Sequence, residues 1–135
     1  MAFHKARALQ QADKSVAQGK TANAIKQYQE ILDNDPSDVS LLNTIGDLYV
    51  RDRKITEGLR HFHRLAEAYV REGFNLKAIA IYRKISKVDP NSIDPFLKLA
   101  ELYQLQGLSR EARDQYLQAV EFFKKRKQQI GRAHV

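Results

Sequence analysis

Apolar residues recur along the chain at three-and-four spacing, interrupted by short polar turns, and the arrangement of one stretch reappears in another. With Gly73 as origin, Phe62, Leu65, Ala66 and Tyr69 lie eleven, eight, seven and four positions before it, while Ala78, Tyr82, Ile85 and Pro90 lie five, nine, twelve and seventeen after it. The same offsets from Gly107 give Phe96, Leu99, Ala100 and Tyr103, then Ala112, Tyr116 and Ala119. Around Gly19 the following half recurs as Ala24, Tyr28, Ile31 and Pro36, and around Arg53 the preceding half as Leu42, Ile45, Gly46 and Tyr49. Three-and-four spacing collects apolar residues on one helical stripe, so each block predicts two amphipathic helices packed antiparallel across a turn. Ser92 ahead of Ile93, Asp94 and Pro95 predicts an N-cap, an acidic first turn and a tolerated proline, and Ser109 with Glu111 repeats the signal. Small residues (Ala66, Gly46, Ala100, Ala78, Gly58 and Ala112) face slots for Phe62, Tyr82 or Tyr116, which predicts close helix approach opposite a ring. Leu at Ala78 or Ala112 should overpack that contact at roughly 1 to 3 kcal/mol.

The spacing of the turns carries further information. Gly19 to Arg53 and Gly73 to Gly107 are each 34 residues, whereas Arg53 to Gly73 is only 20. That shorter interval cannot hold two helices and two turns, so residues 55–72 are predicted to form a single helix shared by two successive hairpins. The chain therefore also repeats at 54: Gly19, Ala24, Ile25, Tyr28, Ile31, Asp35, Pro36, Leu48, Tyr49, Glu57 and Glu67 each meet an identical residue 54 positions on. Seven helices follow, near 3–18, 21–34, 38–51, 54–72, 74–88, 92–106 and 109–126.

These residues resemble the tetratricopeptide repeat family, whose 34-residue unit carries an aromatic, a Leu, a Gly or Ala and a Tyr on its first helix. The second helix of the family unit carries an Ala, an aromatic and another Ala before a terminal Pro. The resemblance spans about residues 3–123. It departs at Ala8, Gln11 and Ser15, at Arg53 in a turn glycine slot, and at Gly58 and Val70 where Ala and Pro are expected. It implies an all-α, right-handed superhelical solenoid of antiparallel helix pairs, with one helix shared between two repeats. The expected organisation is a repeat domain over 1–127 followed by a short basic C-terminal tail, 128–135.

Composition narrows the classes of function. The chain has 135 residues, 43% hydrophobic and 29% charged, six Gly, three Pro and no Cys. That suits one soluble helical domain and excludes a disulfide framework, thiolate metal sites and cysteine nucleophiles. Apolar runs are short and His4, Lys5 and Arg7 break the N-terminal stretch, so neither a membrane span nor a secretory signal is expected and the chain reads as cytoplasmic. A net charge of +7 suggests nucleic acid or an anionic membrane until it is localised. Residues 124–135 hold five basic groups and no acid, leaving 18 basic against 16 acidic groups over 1–123. The body is nearly neutral, which argues against both partners.

No glycine-rich phosphate loop, paired-histidine metal helix or nucleophile elbow is present, so no enzymatic activity, cofactor or metal is expected. His61 and His63 sit two apart on a helix and diverge by about 200°, and His4 and His134 lie near the termini. Tyr28, Tyr49, Tyr69, Tyr82, Tyr103, Tyr116, Phe62 and Phe96 occupy packing slots and are expected in the core rather than stacking on bases. The resemblance implies a protein-interaction scaffold that holds a partner segment on a concave face lined by first helices. Slot by slot, that face would take Leu9, Asp13, Val16 and Ala17, then Ser40, Asn43, Asp47, Val50 and Arg51. Arg60, His63, Glu67, Val70 and Arg71 follow, then Asp94, Leu97, Glu101, Gln104 and Leu105. In chaperone-binding members one of these slots holds Asn for a peptide's terminal carboxylate, and here it is Asp13, Asp47, Glu67 and Glu101. A row of acids favours a basic partner. The alternative is internal: Asp47 with Arg51 and Glu67 with Arg71 are spaced to satisfy each other, at about 0.2 to 0.5 kcal/mol per pair. Two further readings stay open, an adaptor contacting nucleic acid or anionic membrane through the basic end, and a homo-oligomer formed through the end helices. Lys and Arg also suit a helix C-terminus that caps the array.

Overall fold

A computed structural model describes residues 2–133. Among the described residues seven helices run in order as α1 (Lys5–Ala17), α2 (Thr21–Asn34), α3 (Ser40–Arg51), α4 (Ile55–Arg71), α5 (Asn75–Val88), α6 (Asp94–Leu105) and α7 (Ser109–Ala133). Among the described residues there is no strand. The predicted shared helix is the unbroken α4, and the chain divides into two compact units, Met1–Ala68 and Tyr69–Val135, at a boundary within the sequence of this helix.

The four turns that precede α2, α4, α5 and α7 share one mechanism. Gly19, Gly73 and Gly107 adopt φ of 73°, 81° and 74°, and Arg53 adopts 63° in the equivalent slot. In each, the left-handed residue donates its N–H to the carbonyl three positions back, and the next residue donates to the carbonyl five back. Gly19 to Val16 with Lys20 to Ser15, and Arg53 to Val50 with Lys54 to Tyr49, show the pattern. These are Schellman caps, which satisfy the last carbonyls of a helix while reversing the chain. Glycine enters this region without the steric cost a side chain carries, so Arg53 holds the same turn at a disadvantage.

In the first unit α1 packs on α2 and α2 on α3. Its core holds Ala12, Ala24, Ile31, Ile45, Phe62, Leu65 and Ala66, all fully buried. The crossing of α3 and α4 depends on two glycines. A Cβ on Gly46 would lie 2.5 Å from the Phe62 ring, and one on Gly58 would lie 2.6 Å from Val50 Cγ2 and 3.0 Å from the Gly46 carbonyl oxygen. The departure from alanine at Gly58 thus lets two backbones approach. Lys5 ties the start of α1 to the α2–α3 loop, 2.8 Å from both Asp35 and Asp38.

In the second unit α5 packs on α6 and α6 on α7, with Ala78, Ile85, Ala100 and Leu99 buried between them. Lys77 sits over the ring of Phe74, 4.9 Å from its centre, and Tyr69 meets the same ring edge-on.

Four expectations shift. Ser92 is not an N-cap: Ile93 holds that position with no side-chain cap, and Asp94 starts the helix. Ser109 is the first residue inside α7 rather than ahead of it. Helix α7 does not stop near residue 126 but continues to Ala133, because Lys, Arg, Gln and Ile propagate a helix and basic groups suit its C-terminus. Tyr116, expected in the core, is 37% exposed, because among the described residues no helix packs on that side of α7.

Candidate functional site

The predicted interaction residues fall on helix faces that point away from the core. On α3, Asn43, Asp47 and Arg51 are four apart, opposite the buried Leu41, Leu42, Ile45 and Leu48. Asp47 and Arg51 are exposed and Asn43 is half-buried. On α4, Arg60 is exposed and His63 half-buried, with Glu67 and Arg71 exposed further along the helix. On α6, Asp94 and Glu101 are exposed and Leu97 is half-buried, away from Leu99, Ala100 and Tyr103.

Their electrostatic surroundings differ. Asn43, Asp47 and His63 each have an interaction partner. Arg60 Nη1 lies 2.9 Å from Glu57 on the preceding turn, so part of its charge is already answered. Among the described residues neither Glu67 nor Glu101 forms an ion pair. Asp13 accepts a hydrogen bond from the Tyr28 hydroxyl. Burial, and then that carboxylate, push the Tyr28 phenol up to about 12. Asp13 therefore has a structural duty within the α1–α2 hairpin that Glu67 and Glu101 lack.

Among the described residues, no group of three or more His, Cys, Asp or Glu side chains could hold a metal ion. His61 and His63 diverge as expected. His61 is buried, its Nδ1 2.8 Å from the Glu57 carbonyl oxygen and its ring 5.2 Å from that of Tyr49. His134 lies outside the described residues. Among the described residues, no helix is long and apolar enough to cross a membrane.

Two surface recesses of the second unit were not anticipated. One, of about 270 Å³, runs between α6 and α7 and is lined by Gln104, Ser109, Ala112, Arg113, Tyr116, Leu117 and Val120. Tyr116 donates its hydroxyl across it to Gln104, 3.2 Å away. The other, of about 350 Å³, is lined by Pro90, Asn91, Phe122, Lys125, Arg126 and Gln129. The 54-residue register held the signal for the first, since it aligns α7 with α4, and α4 is followed by another helix.

No family model matches the sequence. The TPR repeat-containing protein YpiA of Bacillus subtilis (strain 168) is 30% identical over 111 residues, covering 82% of this chain and 25% of that protein. The chain thus spans a quarter of the length of this curated relative. Among solved structures, a crystal structure of MamA is 19% identical with a TM-score of 0.48, covering 87% of this chain and 96% of that one. A MamA fragment from Desulfovibrio magneticus RS-1 is 15% identical with a TM-score of 0.49, covering 90% and 77%. The paired-helix pattern at 34 residues, the four equivalent left-handed turns and the likeness to a protein named for the repeat converge: the chain is similar to the tetratricopeptide repeat family.

Proposed function

We propose that this chain is a non-catalytic protein-interaction module, and that the outward faces of its first helices hold a basic segment of a partner protein. The observation that carries this reading is the recurrence of an exposed carboxylate at one repeat slot, as Asp47, Glu67 and Glu101. An exposed acid on each of three helices is unnecessary for packing, because the core side of each helix is separately filled. Asn43, Arg51, Arg60, His63, Arg71, Asp94 and Leu97 flank these acids and supply hydrogen-bonding, charged and apolar contacts for an extended or helical peptide. Exposed carboxylates that recur at one repeat slot select for Lys or Arg mainly through encounter rate and register.

The test is charge reversal of Asp47, Glu67 and Glu101 to Lys, with binding measured against a synthetic Lys/Arg-rich peptide and an acidic peptide of equal length. The wild-type chain should prefer the basic peptide, with affinity falling as salt rises, and the triple variant should lose that preference. Equal binding of both peptides by the wild-type chain, or unchanged affinity in the variant, would sink the proposal. Deleting residues 124–133 leaves this preference intact if the acids carry it, and abolishes binding if the basic end is the contact instead.

A further inference from the structure

A seam between α5 and α7 collects positive charge that the fold does not use. A third recess of the second unit, of about 260 Å³, is walled by Arg83, Ser86 and Lys87 of α5 and by Gln115 and Gln118 of α7, over a floor of Phe96 and Leu99 from α6. The recess of about 350 Å³ continues it, with Pro90 and Asn91 beyond α5 and Phe122, Lys125 and Arg126 further along α7. At 3.6 residues per turn Gln115, Gln118, Phe122, Lys125 and Gln129 share one face of α7, so the two recesses lie end to end. From Gln115 to Gln129 the seam runs about 21 Å, room for about six residues of extended chain.

Both walls and the floor belong to α5, α6 and α7 themselves. In the 54-residue register Phe123 corresponds to Tyr69 of α4, whose ring meets Phe74 at the start of α5. A helix following α7 by the same rule meets the side of Tyr116, Val120 and Phe123. The seam lies about 140° round α7 from that side, facing elements that precede it.

Four cations border the seam. Arg83, Lys87, Lys125 and Arg126 are all exposed, and among the described residues none of them forms an ion pair. No Asp or Glu lines either recess. Packing does not require these charges. At the slots of Arg83, Lys87 and Arg126 the residues 54 positions earlier are Gln29, Asp33 and Glu72, and only Lys125 keeps a cation, as Arg71. Like charges gathered along a recess without counter-charges attract an anion.

The floor narrows the identity of that anion. Leu99 is buried and Phe96 and Phe122 are half-buried, so the seam offers apolar contact but no free-standing ring on which a base could stack. Gln115, Gln118 and Asn91 carry amides able to pair with a peptide backbone. A recess between helices admits a chain, whereas a bilayer surface is flat. We propose that the α5–α7 seam holds an extended acidic segment of a partner protein, its carboxylates answering the four cations and its interspersed apolar side chains resting on Phe96, Leu99 and Phe122. No residue of the Asp47, Glu67 and Glu101 row takes part.

The probe is a fluorescent synthetic peptide of about eight residues in which Glu and Leu are interspersed. One counterpart carries Lys in place of Glu and another carries Ser in place of Leu. Fluorescence anisotropy should show the Glu–Leu peptide binding about tenfold or more tightly than either counterpart, with affinity falling as salt rises. Arg83→Gln, Lys87→Asp and Arg126→Glu together give the seam the residues of the earlier slots. This variant should keep its circular dichroism spectrum and lose about tenfold or more in affinity. Arg7→Glu with Lys26→Glu, both exposed in the first unit, removes nearly as much positive charge and should leave affinity within about twofold. Reversing Asp47, Glu67 and Glu101 to Lys should not weaken this peptide, which separates the seam from the acidic row. Absent binding of the Glu–Leu peptide, equal affinity for its Lys counterpart, or equal losses in the two cation variants overturns the proposal. Tighter binding of single-stranded oligouridine than of the peptide, lost in the seam variant, also overturns it and assigns the seam to nucleic acid. Seam-dependent binding to phosphatidylcholine vesicles containing about a quarter phosphatidylserine, without peptide binding, overturns it in favour of a membrane.

Discussion

Replacing Gly46 by alanine isolates the contact that sets the α3–α4 crossing. The added Cβ would stand 2.5, 2.8 and 3.0 Å from three carbons of the Phe62 ring. Carbon atoms attract best at about 3.5 to 4.0 Å, so ring and helix must part by roughly 1 Å. Phe62 is fully buried, which leaves its ring no solvent to move into. An approach this close to a buried ring lies in the upper part of the overpacking range, about 2 to 3 kcal/mol. Alanine recovers up to about 1 kcal/mol in a helix interior, so the net expectation is a loss of about 1 to 2 kcal/mol. At roughly 3 °C per kcal/mol for a chain of this size, Tm should fall by about 3 to 6 °C. Urea unfolding followed by far-UV circular dichroism measures the difference. Gly131→Ala is the matched control, because nothing lies within 4 Å of the Cβ it would add, and stability there should hold or rise slightly. Phe62→Leu in the Gly46→Ala background should recover part of the loss, giving a coupling above about 0.5 kcal/mol. A Gly46→Ala variant as stable as the wild type, or strict additivity with Phe62→Leu, would refute the steric reasoning.

Three other outcomes are expected. Arg53→Gly should raise stability by about 0.5 to 1 kcal/mol, since a side chain at φ 63° is strained and glycine is not; a lowered urea midpoint contradicts this. Lys5 holds the Asp35 and Asp38 carboxyls below their usual range through its hydrogen bonds, while those bonds hold Lys5 above its own. The carboxylate contribution is present above the unfolded Asp value near 4 and fades as pH falls through the lowered values, and the Lys5 contribution fades only as pH rises through its raised value. Lys5→Ala should therefore flatten the acid side of a stability–pH curve, and an unchanged slope counts against the clasp. Tyr28 should ionise near pH 12, so its stabilisation holds below the unfolded value near 10 and disappears as pH climbs through 12. Ultraviolet titration of wild type against Asp13→Asn checks it, the variant being expected to ionise at lower pH.

The helices were legible in the sequence because helix formation and apolar periodicity are local. Spacing of 34, 20 and 54 residues was enough to place seven helices and to identify 55–72 as a single shared one. The turn slots were legible too, since glycine recurs wherever a left-handed residue closes a helix, and Arg53 was visible as the exception. Ser92 misled because a capping residue is recognised by its side-chain hydrogen bond, and a one-residue shift of the helix start removes it. Of the candidate site, the recurrent acids could be read from slot positions, but not that Asp13 is engaged by Tyr28 while, among the described residues, Glu67 and Glu101 form no ion pair. Side-chain partners depend on rotamers and on approach between elements distant in sequence. The same holds for Tyr116 and Phe62, which occupy equivalent slots of one repeat yet are 37% and 0% exposed. Sequence determined the amphipathic stripe of every helix and the order in which they pair. Tertiary structure alone decided which stripes are covered, because burial requires a neighbour and α7, among the described residues, has none on that side.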